Sequence, residues 1–321
     1  MLPSTDIIII NWNSSNQLRE CLEAIVSNEH NKFKLSKVII VDNASTDRSL
    51  EGIQEIDLPI NIIKNSDNKG FGFACNQGAS ISKSDYVLFL NPDTRLFNEA
   101  LDKAMSFIHN SSLDQKIGVV GIQLVDSQGK IQRNCARFPS LLNIWCSIIG
   151  IDKVVKNKFT SYMMTEWNHE TTQAVDHVMG AFYLLSNQVF RSVGGFDESF
   201  FVYFEDLDLS YRIHQHGFLS YYLADVRSFH KGGGTSESIK ATRIFYSLRS
   251  RILYAYKHFN SLQATTVLLA SLLIEPFTRI AFAIIRLSLS QAQETICAYI
   301  KLFADYRDIS KLIKKKLVGK T

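Results

Sequence analysis

The chain has few cysteines, and none of them lies close to another. Its 321 residues include five cysteines without a CxxC pair. Zinc sites and disulfide frameworks require paired or closely spaced cysteines, so the spacing argues against both. The cysteine usage is typical of a reducing compartment, and we expect a cytoplasmic protein.

Long hydrophobic runs are also missing. The N-terminal stretch MLPSTDIIIINWN has no basic residue ahead of its apolar run, and Asn11 and Asn13 follow that run. We therefore expect a buried first strand here and not a signal peptide. Between His258 and Glu275 lie 16 uncharged residues, fewer than the roughly 18–20 expected of a membrane-spanning helix.

The two parts of the chain differ in charge, and neither carries a nucleic-acid-reading motif. Residues 240–321 hold 14 Lys and Arg against 4 Asp and Glu, whereas residues 1–239 hold 21 against 27. An acidic body without a reading motif argues against nucleic-acid binding. The division predicts two regions with different tasks, 1–239 and 240–321.

The first hundred residues alternate between apolar strands and amphipathic helices. Continuous apolar strands between such helices predict an α/β fold with a mostly parallel sheet. A hairpin is predicted over 125–139, and helices beyond residue 240. The predicted strands are 6–12, 37–43, 60–65 and 86–93; the predicted helices are 14–28, capped by Ser14 or Ser15, 45–56, capped by Ser45 or Thr46, and 72–82.

Polar side chains follow each of the four strands. These strand ends are 11–13, 42–43, 65–69 and 91–93. Ligands of parallel sheets bind beyond the carboxyl ends of the strands, so we expect all four to converge on one crevice.

These side chains suit a phosphorylated ligand, although each has a simpler explanation. Asp42 could bind a nucleobase or ribose, or serve only as a turn residue. Gly70 opens a helix whose N-terminus would attract phosphate, and Lys69 could meet the same group. Asp93 could hold a divalent cation such as Mg2+ or Mn2+, or belong to a plain Asn-Pro-Asp turn.

An acid-rich segment with aromatic neighbours, FFVYFEDLDLSYR, covers residues 200–212. Desolvated carboxylates are costly unless they are paired or used. If the segment is helical, Glu205 and Asp208 share a face and could orient a base, cap the helix or hold Arg212. The alternative is an acidic helix start that only favours the helix dipole.

Taken together, these segments resemble glycosyltransferase family 2, which has the GT-A fold, and most closely its bacterial rhamnosyltransferase-like branch. The resemblance covers residues 6 to about 236 and implies a catalytic domain over 1–239. The motifs that carry it are IIIINWNS, VDNASTDRSLE, NKGFGFACNQG, LNPD, MGAF, GGFDESFFVYFEDLDLSYR and HKGGGTS.

The resemblance assigns expected roles to individual residues. Asn91 departs from the family's Asp-x-Asp tract, so metal binding would depend on Asp93. His230 would complete the metal site, or be a loop histidine without that role, and the glycines 232–234 would form a lid or a plain turn. The implied nucleotide-sugar contacts are Asn11, Trp12 (as a stacking surface), Asn13, Asp42, Lys69, Gly70 and Asn91; the metal ligands are Asp93 and His230; the general base is Asp206, with Glu205 as the alternative; and the acceptor contacts are Gly180, Ala181, Tyr203 and Asp208.

The C-terminal region 240–321 is predicted to be helical and to lie in a membrane interface. Its basic tail KLIKKKL (311–317) would rest on anionic headgroups at the inner face of the cell membrane. One transmembrane span and a soluble helical dimer surface are the alternatives, and oligomer formation stays open.

The expected activity is an inverting transfer of a sugar to a lipid-linked or growing surface polysaccharide. The resemblance favours dTDP-rhamnose as the donor. A UDP-hexose or UDP-galactofuranose donor is the alternative, because residues 11–13 and 42 do not distinguish thymine from uracil. A non-catalytic nucleotide-sugar-binding subunit is the competing hypothesis from another class.

Overall fold

A computed structural model describes residues 1–110, 116–155, 161–232 and 240–318, with side chains to residue 314. Gly233, Gly234 and the side chains of the basic tail beyond Lys314 lie outside the described residues. The strands are β1 Ser4–Asn11, β2 Lys34–Asp42, β3 Ile60–Lys64, β4 Tyr86–Leu90, β5 Thr94–Leu96, β6 Ile117–Val125, β7 Ile131–Gln132, β8 Cys135–Ala136, β9 Gln173–Val175, β10 His177–Val178, β11 Phe182–Ser186 and β12 Leu219–His230. The helices are α1 Gln17–Val26, α2 Phe71–Ser80, α3 Ala100–Asn110, α4 Leu141–Ile149, α5 Ile151–Val154, α6 Asn187–Ser192, α7 Glu205–Gln215, α8 Lys240–His258, α9 Ser261–Leu273, α10 Glu275–Ile285, α11 Leu289–Ala304 and α12 Tyr306–Val318.

The chain divides into two compact units. Of the described residues, the first unit takes those within 1–137, 164–198 and 206–235. The second takes those within 138–163, 199–205 and 236–321. The boundary between 239 and 240 stays a prediction.

The first unit is built on one sheet with the order β3-β2-β1-β4-β11-β6-β12-β5. On this path β11 and β5 run opposite to the other six strands. The predicted mostly parallel α/β fold is therefore confirmed. The predicted hairpin is also present, because β6 and β7 pair antiparallel.

The apolar run of β1 shows why this sheet is buried on both faces. Ile7 and Ile9 pack into the core on one face, and Ile8 and Ile10 into the core on the other. Successive side chains of a strand point to opposite faces, so four consecutive isoleucines require apolar cover on both sides.

The helix predicted over 45–56 is wrong. This segment is a loop that ends in a single 3-10 turn at Ile53–Glu55. Asp47 accepts hydrogen bonds from the backbone N–H groups of Ser15 and Ser49, and Ser45 receives the N–H of Asn13. Side-chain bonds of this kind offer the backbone an alternative to a helix. The predicted serine caps of α1 are also absent, because its N-cap is Asn16, without a side-chain cap bond.

The second unit consists of α4, α5 and α8–α12 around its own apolar core. A buried ionic cluster ties three of its helices together: the Glu275 carboxylate receives the guanidinium groups of Arg251 and Arg279, and Arg251 also donates to Ser271 (3.0 Å). Burial alone would raise the pKa of Glu275, but the two arginines hold it below its usual value. Pro276 follows at the first turn of α10, where its missing N–H costs nothing.

Candidate active site

The carboxyl ends of β1, β2 and β3 are joined by side-chain hydrogen bonds. Asn11 donates to Asp42 (2.7 Å), and Asn65 donates to Asn43 (2.9 Å). Asn43 in turn donates to the carbonyl oxygen of Gly70 (3.2 Å), just before α2. The expected convergence of these strand ends is therefore present.

Two of the predicted nucleotide contacts, Asn11 and Asp42, are buried and bonded to other protein groups. The Asn11 side chain has no exposed surface, and it also donates to Ser49 (2.8 Å). Asp42 is buried too, with its second oxygen receiving the N–H of Ser45 (3.2 Å). In this structure Asn11 thus holds Asp42 and presents nothing to a ligand. Trp12 and Asn13, by contrast, are half-buried and accessible.

The glycine-containing turn before α2 places a cation beside the same edge. Gly70 has a φ of 91°, a conformation that favours glycine, and its N–H donates to Asn68 (3.0 Å). The Lys69 ammonium lies 5.1 Å from the centre of the Phe73 ring. Gly70 therefore allows this turn to form, and Lys69 is the charged side chain that the turn exposes.

Asp93, which follows β4, and His230, the last residue of β12, form a candidate metal-binding pair. His230 Nε2 lies 3.4 Å from Asp93 Oδ1, and both side chains are nearly buried. Gln132 forms two hydrogen bonds with His230. Its amide nitrogen donates to the His230 carbonyl (2.7 Å), and its Oε1 lies 2.8 Å from Nδ1. Because Oε1 only accepts, the Nδ1 proton is directed to Gln132 and Nε2 is left facing Asp93.

This donor set fits the predicted divalent cation. A carboxylate suits Mn2+ or Mg2+, an imidazole suits transition-metal cations, and ligating histidines characteristically donate their other ring N–H to an oxygen. Among the described residues, no cluster of three or more His, Cys, Asp or Glu side chains is present. A cation held here would therefore draw further ligands from elsewhere.

The candidate base lies at the start of α7. Asp206 Oδ2 accepts the N–H of Gly180 (2.9 Å), and Oδ1 accepts the N–H of Leu207 (2.8 Å). A methyl group on Gly180 would lie 3.1 Å from Oδ2. Gly180, predicted to contact the acceptor, thus lies directly against the Asp206 carboxylate.

The two candidate carboxylates belong to the same edge of the sheet. The end of β4 meets the start of its antiparallel neighbour β11, where the Asn91 N–H donates to the carbonyl of Ala181 (3.0 Å). Asp93 follows Asn91 by two residues, and Asp206 is bonded to Gly180 on the other side of this junction. Ala181 is fully buried, so its side chain supports the junction and does not face an acceptor.

A short segment strengthens this arrangement. Gln132 bonds to His230, and two residues later the Asn134 carbonyl accepts the N–H of Met179 (3.1 Å). Met179 directly precedes Gly180. The segment 131–136 thus connects the Asp93–His230 pair with the turn before β11, whose Gly180 binds Asp206.

A buried polar chain lies behind Asp206. His177 Nε2 is 3.6 Å from Asp206 Oδ2, and His177 Nδ1 is 2.9 Å from Ser210 Oγ. Ser210 Oγ lies 2.8 Å from the hydroxyl of Tyr183. Burial lowers the pKa of His177 against the opposing effect of the carboxylates of Asp206 and Asp176. Burial also raises the pKa of Tyr183, so its hydroxyl keeps its proton.

The remaining residues predicted for the acceptor and base positions are Asp208, Tyr203 and Glu205. Asp208 is fully buried and receives the Arg212 guanidinium (2.9 Å), so it holds α7 and does not face an acceptor. Tyr203 and Glu205 belong to the second unit. Tyr203 has a left-handed backbone (φ 67°), and Glu205, the first residue of α7, is buried.

The sequence reasoning missed Gln132, His177, Ser210 and Tyr183. A histidine two residues before the MGAF motif was a possible signal, because it is a titratable residue directly ahead of an apolar segment. Nothing in the sequence around Gln132 distinguishes it from a solvent-exposed hairpin residue.

A family model described as Glycosyl transferase family 2 matches residues 6–183, more than half of the chain. The chain belongs to this family. The candidate base and His230 lie beyond the matched residues, so for them the family 2 match gives no direct support.

Two of the similar proteins are named as rhamnosyltransferases. The chain is 25% identical over 204 residues to N-acetylglucosaminyl-diphospho-decaprenol L-rhamnosyltransferase of Mycobacterium tuberculosis, covering 60% of this chain and 66% of that protein. It is 24% identical to rhamnosyltransferase WbbL of Escherichia coli, covering 57% and 70%. It is 24% identical to the low-salt glycan biosynthesis hexosyltransferase Agl10 of Haloferax volcanii, covering 66% and 62%. The chain thus spans slightly less than two thirds of the mycobacterial and haloarchaeal proteins.

Solved structures share the fold. A mannosyltransferase from Pyrobaculum calidifontis, solved with GDP-Man and Mn2+, has a TM-score of 0.58 at 15% identity and covers 95% of this chain and 88% of its own. The Staphylococcus aureus protein TarS, residues 1–349 with UDP-GlcNAc, has a TM-score of 0.53 at 16% identity, covering 92% and 79%. These similarities confirm the predicted GT-A fold.

Proposed function

We propose that this protein is an inverting, metal-dependent glycosyltransferase of polysaccharide or glycan biosynthesis. The observation that carries the proposal is the junction between β4 and β11, where Asp93 and Asp206 belong to one edge of the sheet. A single displacement needs a base for the acceptor and a stabiliser for the leaving diphosphate at one place. Family membership supports the reaction class.

Asp206 acts as the base in this proposal. A sugar hydroxyl is a poor nucleophile until a carboxylate within hydrogen-bond reach takes its proton as the new bond forms. The N–H groups of Gly180 and Leu207 fix both oxygens of Asp206. Its side chain, 18% exposed, retains access for an acceptor.

Asp93 and His230 would hold Mn2+ or Mg2+, with Gln132 keeping Nε2 of His230 available. When bound, the cation would neutralise charge on the leaving nucleoside diphosphate. Lys69 is placed to add a second positive charge at the same sheet edge. Trp12 and Asn13 are the accessible side chains that would contact the nucleoside, and the buried Asp42 would hold this segment in place.

We further propose dTDP-rhamnose as the donor and a lipid-linked saccharide as the acceptor. Two relatives are named as rhamnosyltransferases, and the name of one includes a decaprenol-linked saccharide. UDP-sugars are the alternative, because the half-buried side chains near the nucleoside do not select a base. A binding panel of dTDP-rhamnose, UDP-galactose, UDP-galactofuranose and GDP-mannose in the presence of Mn2+ separates these donors.

The second unit supports a proposed membrane contact. Within the described part of the chain, no single helix has the length and apolar character needed to cross a bilayer; α9 and α10 meet these criteria only as a pair, bent by 41°. Large apolar side chains are nevertheless exposed, such as Phe277 (75%), Ile285 (74%) and Leu287 (92%). Exposed apolar surface next to basic residues is typical of helices that lie in a membrane interface.

Flotation with vesicles tests this contact. Full-length protein is mixed with vesicles of phosphatidylglycerol and phosphatidylethanolamine, or of phosphatidylcholine alone. We expect it to float with the anionic vesicles, and the double variant Phe277→Ser/Ile285→Ser to stay behind. Phe97→Ser, which removes an exposed phenylalanine of the first unit, is the matched control and should float normally. Equal flotation of all three proteins would contradict the proposal.

Turnover tests the catalytic proposal. Release of nucleoside diphosphate should require both Mn2+ and an acceptor. Asp93→Ala should lose this release together with Mn2+ binding. Full activity and affinity in Asp93→Ala would remove the metal assignment, and binding of donor without any turnover would favour a non-catalytic subunit.

A further inference from the structure

We propose that His177 is a positioning residue that holds the Asp206 carboxylate from its buried side, through an Nε2–H group whose protonation is dictated by Ser210 and Tyr183. The inference rests on the proposed function, because it takes Asp206 to be the base.

The geometry places His177 across one turn of α7. Asp206 and Ser210 are four residues apart, so their side chains leave the helix on the same face. His177 meets both: Nδ1 is 2.9 Å from Ser210 Oγ, and Nε2 is 3.6 Å from Asp206 Oδ2. The second distance is longer than a hydrogen bond. Hydrogen bonds of catalytic groups are often long before substrate binds, and a shift of about 0.5 Å would close this one.

The chain of hydroxyl groups determines which nitrogen carries the proton. Tyr183 keeps its phenolic proton, and among the described residues its hydroxyl is hydrogen-bonded to Ser210 (2.8 Å). If Tyr183 donates to Ser210, the Ser210 proton is directed to Nδ1 of His177. When Nδ1 of a neutral imidazole accepts a hydrogen bond, the ring proton is on Nε2. That proton then points to Asp206, where the opposite tautomer would set a lone pair against a carboxylate.

This arrangement gives Asp206 a third neighbour besides two backbone N–H groups. The N–H groups of Gly180, in the turn before β11, and of Leu207, in α7, each donate to one oxygen. His177 supports Oδ2 from the interior, so the carboxylate cannot turn inward when an acceptor approaches its exposed side. Positioning of this kind is expected to change kcat and to leave donor binding unaffected.

The tautomer is tested first, without any substrate. Full-length protein with 15N-labelled histidine is studied by NMR at neutral pH, and the His177 signals are assigned from the His177→Gln variant. We expect a protonated Nε2 and an unprotonated Nδ1. In Ser210→Ala this preference should weaken, because Nδ1 loses its hydrogen-bond donor and Asp206 alone still favours the proton on Nε2. A protonated Nδ1 in the unmodified protein would overturn the proposal.

Kinetics test the positioning, with the nucleotide sugar selected by the binding panel. His177→Gln keeps an N–H donor near Asp206, whereas His177→Met has a similar length and none. We expect kcat to fall about tenfold in His177→Met, with unchanged donor KM, and to recover most of this loss in His177→Gln. Ser210→Ala should lower kcat in the same direction and provides the test if His177→Met fails to fold.

Asp206→Asn separates the two possible failures. If it is inactive and His177→Met turns over like the unmodified enzyme, the positioning role is wrong and the base assignment stands. If Asp206→Asn turns over normally, the base assignment fails, and the role of His177 fails with it.

Discussion

Gly180→Ala is the perturbation that most clearly distinguishes two explanations of this glycine. The added methyl group would lie 3.1 Å from Asp206 Oδ2, 3.5 Å from its Cβ and 3.7 Å from its Cγ. The first distance is closer than ordinary van der Waals contact, so the carboxylate must shift by a few tenths of an ångström. Gly180 does not have a left-handed backbone, so alanine adds no backbone strain.

The size of the effect follows from the sensitivity of catalysis to distance. A displacement of about 1 Å can cost about 100-fold in rate, and a few tenths should therefore cost about tenfold, or about 1.4 kcal/mol of barrier. Steady-state release of nucleoside diphosphate gives kcat and both KM values, and Mn2+ binding and thermal unfolding serve as controls. We expect a lower kcat with unchanged KM for the acceptor. If Gly180 instead made room for the acceptor sugar, acceptor KM would rise at constant kcat, and that result would refute the reasoning.

Three further predictions concern the residues around this centre. Gln132→Leu should weaken Mn2+ binding about tenfold, measured by calorimetry, because His230 loses the acceptor at Nδ1; unchanged affinity would show that Gln132 does not orient the ligand. Asp208→Asn should lower the free energy of unfolding by about 3 kcal/mol in urea, because it breaks a buried pair with Arg212, and a loss below about 1 kcal/mol would contradict its structural role. Burial lowers the pKa of His177 in the folded protein, so the free energy of unfolding should reach its full value above the unfolded-state pKa of about 6.5. At lower pH it should decrease by up to about 1.4 kcal/mol per pH unit. His177→Gln should reduce this slope between pH 6.5 and 5, and an identical slope would count against the burial effect.

Much of the fold was predictable, because its signals are local. Four consecutive isoleucines in β1 can only be a strand buried on both faces, and the alternation with amphipathic helices determines the parallel sheet. The polar residues after each strand then meet for a geometric reason, since parallel strands end at one edge. Asp42 and Asp93 became candidate site residues in this way, and Asp206 became one through the resemblance to the family.

The failures concern contacts between distant parts of the chain. The segment 45–56 has helix-like caps and apolar spacing, yet Ser45 and Asp47 bond to the end of β1 and its following turn, and this outweighs local propensity. Gln132 and His230 are separated by 98 residues, so no local pattern connects them. Asn11 and Asp208 were predicted to contact the nucleotide sugar and the acceptor, but both are buried and hydrogen-bonded to other protein side chains, which the sequence does not reveal.

The central claim is that Asp206 removes the acceptor proton at the same sheet edge where Asp93 and His230 hold the cation. The most direct measurement is Mn2+-dependent transfer by Asp206→Asn, with donor and Mn2+ affinities determined on the same sample. We predict unchanged affinities and a rate lower by about 100-fold or more. Transfer at the rate of the unmodified enzyme would contradict the account.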